Sequence, residues 1–117
     1  MNFINEGRIV VENIPALYDK LSMQVVRKDF GCVTGEESCG CLVTALLCDK
    51  VGPAGADKMA TRGNTVSMGV ALGLNSTYVS GLIAGFDGGD RLYSEKFNNG
   101  YDDGAAAFDL LRKCGKI

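Results

Sequence analysis

Apolar positions in this chain recur mostly at helical spacing. Ile14, Leu17, Leu21 and Val25 form one stripe, Asn13 is a capping residue, and Pro15 suits a first helical turn. Together they predict a helix over residues 13–24. Ahead of it, "GRIVVE" fits either a short strand or an earlier helical turn. Thr34 and Glu37 have capping-box spacing before "CGCLVTALLCDK". That stretch is apolar around its whole circumference, which predicts a central buried helix reaching about residue 49. "VGPAGA" ends it, because Pro53 and two glycines are breakers. A short helix over residues 57–61 follows, and "RGN" breaks it.

Asn64 or Thr65 then caps a helix to about residue 72. Gly73 makes a corner, and Asn75 or Ser76 caps the next helix to about residue 84. "GFDGGDRLYSEKFNNG" reads as a turn-rich connection. Asp102 or Asp103 caps the last helix, where Ala107, Leu110, Leu111 and Cys114 share one face. The prediction is a mainly α fold. It is a compact single domain over residues 1–117, with five or six short helices around residues 39–49 and a candidate N-terminal strand.

Composition narrows the function classes. The net charge is −2 and the pI about 5.0, so no global attraction to phosphate or anionic membranes exists. Residues 1–11 lack the basic start and apolar run of a signal peptide. No apolar stretch approaches the ~20 residues of a membrane-spanning helix. The expectation is a cytoplasmic protein with no membrane contact. Histidine is absent, which removes Ser-His-Asp and Cys-His nucleophile schemes and imidazole metal sites.

The five cysteines are Cys32, Cys39, Cys41, Cys48 and Cys114. An odd number precludes complete internal pairing, and reduced thiols are expected. Cys39 and Cys41 on one helix would lie about 200° apart at ~3.6 residues per turn, so they could not face one metal. The cysteines read as small core residues, and no metal or cofactor is expected. Cys39 is the candidate reactive thiol, because a helix N-terminus lowers a thiol pKa.

Asp87, Asp90, Asp102 and Asp103 read as caps and solvated turns rather than as a cation site. "GPAGADK" lacks the spacing of a phosphate loop. Gly69/Gly73, Gly81/Gly85 and Gly100/Gly104 are G-x-x-x-G pairs, which mark close helix approach or helix ends. Tyr78, Phe86, Tyr93, Phe97 and Tyr101 gather late in the chain. With Asp87 and Asp90, the aromatics Tyr78, Phe86 and Tyr101 make the candidate interaction surface.

Two resemblances follow from these words. "VSMGVALGLNSTYVSGLIAG" resembles a helix-turn-helix, with Gly73 at the turn, Gly69 at the small position four earlier, and Val79 and Leu82 buried in the second helix. This implies a DNA-binding alternative contacting phosphates through Arg62, Ser76, Thr77, Tyr78 and Ser80. The second helix carries no Arg, Lys, Gln or Asn for base readout after its cap, which disfavours nucleic acid. "CLVTALL", "VALGL", "GFDGGD" and "GYDDGAAAFDLLRK" are together similar to small helical proteins of bacteria and phages. Those carry a C-x-x-G-A-L helix, and Thr44 stands here in place of the glycine. That resemblance implies a helical fold and brings no activity with it. The functional expectation is a non-enzymatic protein-interaction module that forms a homo-oligomer or meets a protein partner. The other alternative is a small thiol- or metal-dependent protein.

Overall fold

A hairpin opens the chain. Strands β1 (Ile4–Asn5) and β2 (Arg8–Ile9) are antiparallel, with Asn5 opposite Arg8. Glu6 and Gly7 between them have φ of 51° and 74°. Two positive φ values give the turn whose twist matches that of the flanking strands. The computed structural model describes residues 1–27, 38–62, 64–92 and 94–117, except for the side chains of residues 60–62. Cys32, the Thr34/Glu37 capping box and Tyr93 lie outside the described residues, as does the side chain of Arg62.

A 3-10 turn, Val11–Asn13, leads into helix α1 (Ile14–Leu21). "GRIVVE" thus supplies both of its alternatives in succession, a strand and then a helical turn. The Asn13 side chain does not cap α1; it donates to the Asn2 carbonyl at 2.7 Å. The helix stops at Leu21 rather than residue 24, because Ser22 turns left-handed with φ of 50°. Gln24–Val25 (β3) then pairs in parallel with Cys39–Gly40 (β4). Strand pairing overrides the helical spacing of Val25 there.

Helix α2 (Leu42–Arg62) begins one residue after Cys41 and is bent at Gly52, where φ is 82° and ψ 167°. That conformation is essentially confined to glycine. Pro53 follows in the first turn of the second segment, where its missing N–H costs nothing. The break falls where "VGPAGA" places it, but helix resumes at once instead of waiting for Asp57. Residues 41–48 are all buried, as expected of a central helix.

Helix α3 (Thr65–Leu72) is capped by Asn64, whose side-chain oxygen accepts from the Ser67 N–H at 3.0 Å. Gly73 ends it in the left-handed region with φ of 70°. Asn75 accepts from the N–H groups of Thr77 and Tyr78 at the start of α4 (Ser76–Asp87). Among the described residues no single helix is long and apolar enough to cross a membrane. Helices α3 and α4 would suffice together in length and composition, but they are bent by 105° at the corner.

The largest departure from the sequence reading is α5, which runs Glu95–Lys113. Residues 95–100 were expected in a connection, with a cap at Asp102 or Asp103. Both aspartates instead lie inside the helix. The reason is tertiary. A Cβ at Gly81 would overlap the Phe97 carbonyl oxygen, and one at Gly85 the Tyr101 carbonyl oxygen. From the other side, a Cβ at Gly100 would overlap the Tyr78 oxygen and one at Gly104 the Leu82 oxygen. The two G-x-x-x-G pairs therefore face each other, backbone against backbone. Contacting positions rise together in number, from 78 with 100 to 86 with 108, so α4 and α5 run in the same direction. Packing along this seam outweighs the low helix propensity of "NNGYDDG".

The result is a mainly α, compact single domain with five α-helices among the described residues. One hydrophobic core joins the N-terminal hairpin, α1, the first half of α2, the inner side of α3, α4 and the inner face of α5.

Candidate functional site

The strongest polar cluster joins three distant pieces of chain. Tyr78, one turn into α4, is 3% exposed. Its hydroxyl accepts from the Ile9 N–H at 3.0 Å and donates to Asp103 Oδ2 at 2.5 Å. Arg8 closes the group with a bidentate pair to Asp103, at 2.9 and 2.8 Å. The hairpin delivers Arg8 and Ile9, and α5 delivers Asp103. Burial, and then the bond to Asp103, push the Tyr78 pKa well above the ordinary tyrosine value. The bond to Asp103 likewise raises the Arg8 pKa. Each group satisfies the others, so the cluster ties the hairpin to the α4–α5 pair.

The candidate interaction surface does not survive as one face. Tyr78 and Phe86 are core residues, 3% and 1% exposed. Phe86 stacks edge-on against Phe108 at 5.5 Å between centroids. The glycine seam is the cause, since it lowers α5 onto the rings of α4. Phe97 is buried by the same contact. Tyr101 is half-buried, donating to the Gly89 carbonyl at 2.6 Å beneath the Arg91 guanidinium. Asp90 is exposed and Asp87 half-buried. Asp102 is paired with Arg91 and Asp103 with Arg8, so the late carboxylates are divided between two arginines. Among the described residues no group of three His, Cys, Asp or Glu could hold a metal ion.

The reactive-thiol reading rested on Cys39 at a helix N-terminus. Cys39 instead lies in β4, and Cys41 is the residue immediately before α2. Cys41 is buried, with its Sγ 3.4 Å from Thr44 Oγ1. Burial raises its pKa, and Asp87 across a gap too small for water adds to that. Desolvation outweighs the helix N-terminus here. Cys48 is shifted in the same direction by burial and then by Asp49.

The α3–α4 corner has the small residue and the bend that the sequence pattern called for. A Cβ at Gly69 would come 2.6 Å from the Leu74 carbonyl oxygen, so that position must be small. The 105° bend lies within the range for such motifs, about 90–120°. The second helix is the obstacle. Thr77 is its one exposed residue, Ser76 and Ser80 are half-buried, and Tyr78 is in the core. The helix packs against both α2 and α5.

Sequence reasoning missed a different surface. Val66 and Val70, one turn apart on α3, are 59% and 80% exposed. They lie within residues 63–86, which contain no Lys, Arg, Asp or Glu. Ser67 and Gly73 beside them are also exposed. A separate cleft of 270 Å³ lies between the first four residues and Leu46, Asp49, Lys50 and Leu72. Its carboxylate, Asp49, is engaged by Lys20 at 2.6 Å. No protein-family model, curated protein or solved structure matches this chain.

Proposed function

We propose that the chain is a non-enzymatic protein-interaction module that self-associates through the outer side of α3. The observation that carries this is the pair Val66 and Val70, bare to solvent on a helix without charge. Covering a valine fully is worth about 1.5 kcal/mol or more, and a symmetric contact covers two from each copy. An uncharged face also meets its own copy without setting like charges together, which matters for a chain of net charge −2.

The polar cluster supports a non-enzymatic role. Tyr78, Asp103 and Arg8 are spent on one another, and the Cys41 thiol is buried in the core. The thiols of Cys41, Cys48 and Cys114 suit a reducing compartment, which is the basis for placing the protein in the cytoplasm.

Sedimentation equilibrium over a wide concentration range tests the proposal. The weight-average mass should rise above the 12.4 kDa of one chain. Val66→Asp with Val70→Asp should return it to the single-chain value. A wild-type mass that stays at one chain up to millimolar concentration would overturn the reading.

A further inference from the structure

We infer that Arg27 is a clasp on the last turn of α4, and that this turn opens and closes over the Cys41 thiol without unfolding the rest of the chain. The device is independent of the α3 face and of any self-association.

Arg27 follows β3 by two residues, and its side chain reaches the far end of α4. Its Nε–H donates to the Phe86 carbonyl at 2.7 Å. Its guanidinium lies 3.7 Å over the centre of the Phe108 ring, which itself stands edge-on against Phe86. One arginine therefore touches both α4 and α5. A helix end leaves its last carbonyls without partners inside the helix, and its partial negative charge favours a cation there. Arg27 answers both needs at once. The loop is shaped to admit it. A Cβ at Gly88 would come 2.8 Å from Arg27 Nη2, so a larger residue there would push the guanidinium away.

The glycine seam does not do this work. It holds α4 as far as the Phe86 N–H, which lies opposite Gly104. Beyond that point come Asp87, Gly88 and Gly89, and two glycines in succession are poor helix formers. The turn that Arg27 holds is also the cover of Cys41. Ile83, Phe86 and Asp87 line the closed gap against Cys41, together with Leu42 and Val43. The ribbon sets both residues in place: the Val26 N–H donates to the Gly40 carbonyl, one residue before Arg27 and one before Cys41. Opening the turn requires the Arg27 contacts to break and leaves the Arg8–Tyr78–Asp103 cluster, at the other end of α4, intact.

Alkylation of Cys41 by iodoacetamide, read by peptide mass so that each cysteine is scored separately, tests the clasp. The rate is followed in water and at urea concentrations below the unfolding transition. Opening of one turn exposes little surface, so the Cys41 rate should rise with urea far less steeply than global unfolding does. Arg27→Ala removes a charge-assisted hydrogen bond and should speed the reaction at least about tenfold, with the urea slope still shallow. Arg27→Lys keeps the charge without the planar stack and should give a smaller rise in the same direction. It carries the test if the alanine variant does not fold. Tyr78→Phe lowers global stability without touching the clasp and should leave the rate within about twofold of wild type. The inference is overturned if Cys41 reacts with the full urea slope of global unfolding. It is equally overturned if neither Arg27 variant speeds the reaction, or if Tyr78→Phe speeds it in proportion to its loss of stability.

Discussion

Helices α3 and α4 are neighbours in a stretch of chain that is uncharged until Asp87, the last residue of α4, yet they meet opposite fates. α4 is enclosed: Tyr78, Val79, Gly81, Leu82, Gly85 and Phe86 are all buried. α3 buries Met68, Gly69 and Leu72 and leaves Val66 and Val70 in water. Apolar content does not explain the difference. Glycine placement does. Gly81 and Gly85 open a groove along α4 that a second helix enters, and α5 answers with Gly100 and Gly104. On α3, Gly69 is used at the corner against Leu74, and Gly73 ends the helix. The outer side of α3 has no such groove and no helix upon it among the described residues.

The largest expected effect breaks the enclosed side. Gly85→Ala in a loosely packed helix would stabilise by up to about 1 kcal/mol, through helix propensity. Here the new Cβ would overlap the Tyr101 carbonyl oxygen, which is backbone and cannot swing aside. The helices must separate, at a cost of about 3 kcal/mol or more, and Gly81→Val should cost still more. Urea unfolding measures both. A gain in stability for Gly85→Ala would mean that α4 and α5 do not touch.

How much of this was legible in the sequence follows from the same contrast. Local signals were read well around α3 and α4, though not at Asn13, which does not cap α1. Asn64, Gly73 and Asn75 act through hydrogen bonds and dihedrals within a few residues, and the α3–α4 corner follows from them. The buried first half of α2 showed in its all-round apolar pattern. The start of α5 was not legible, because "NNGYDDG" is helical only through its contact with α4. The G-x-x-x-G spacing was the visible signal, but it named no partner. Nor did α3 reveal its outer side. Its apolar residues surround the axis, so the sequence carries no mark distinguishing Met68 from Val66. The Arg8–Asp103 pair joins residues 95 positions apart, and no local pattern announces it.

The next effect comes from pH. Burial raises the pKa of Tyr18 and Tyr78 above the ordinary value, with Asp103 adding to the shift of Tyr78. Both tyrosines then hold their protons longer in the folded chain than in the unfolded one. The stability they contribute is fully present below about pH 10, the unfolded tyrosine value, and is lost as pH rises toward the folded values. The loss is about 1.4 kcal/mol per pH unit for each tyrosine in that window. Thermal melts from pH 8 to 11 should fall accordingly, and Tyr78→Phe should make the fall shallower. Equal slopes for the two proteins would show that Tyr78 is not held neutral by its surroundings.

At neutral pH, Tyr78→Phe should itself cost about 1–2 kcal/mol. It removes two hydrogen bonds and leaves the buried Ile9 N–H without its acceptor. Arg8→Ala should cost less, about 0.5–1 kcal/mol, because the arginine side chain is 49% exposed and water screens its pair with Asp103. Faster amide exchange at Ile9 in Tyr78→Phe would locate the loss at the hairpin. Unchanged exchange there would detach the hairpin from the α4–α5 pair.

The smallest effect sharpens the open side. Val70 is 80% exposed, so truncating it removes almost no contact within its own chain. Alanine is also the better helix former, by up to about 0.7 kcal/mol. In dilute solution Val70→Ala should therefore leave stability unchanged or raise it slightly. In concentrated solution the sign reverses. Association adds to the apparent stability of the folded state by mass action, and a variant that associates less gains less. The wild type should then melt higher with increasing concentration, and Val70→Ala should follow it less steeply, so that the two curves cross. A loss above 1 kcal/mol in dilute solution would mean that Val70 is already covered by its own chain. The contrast between α3 and α4 would then be a matter of degree rather than of kind.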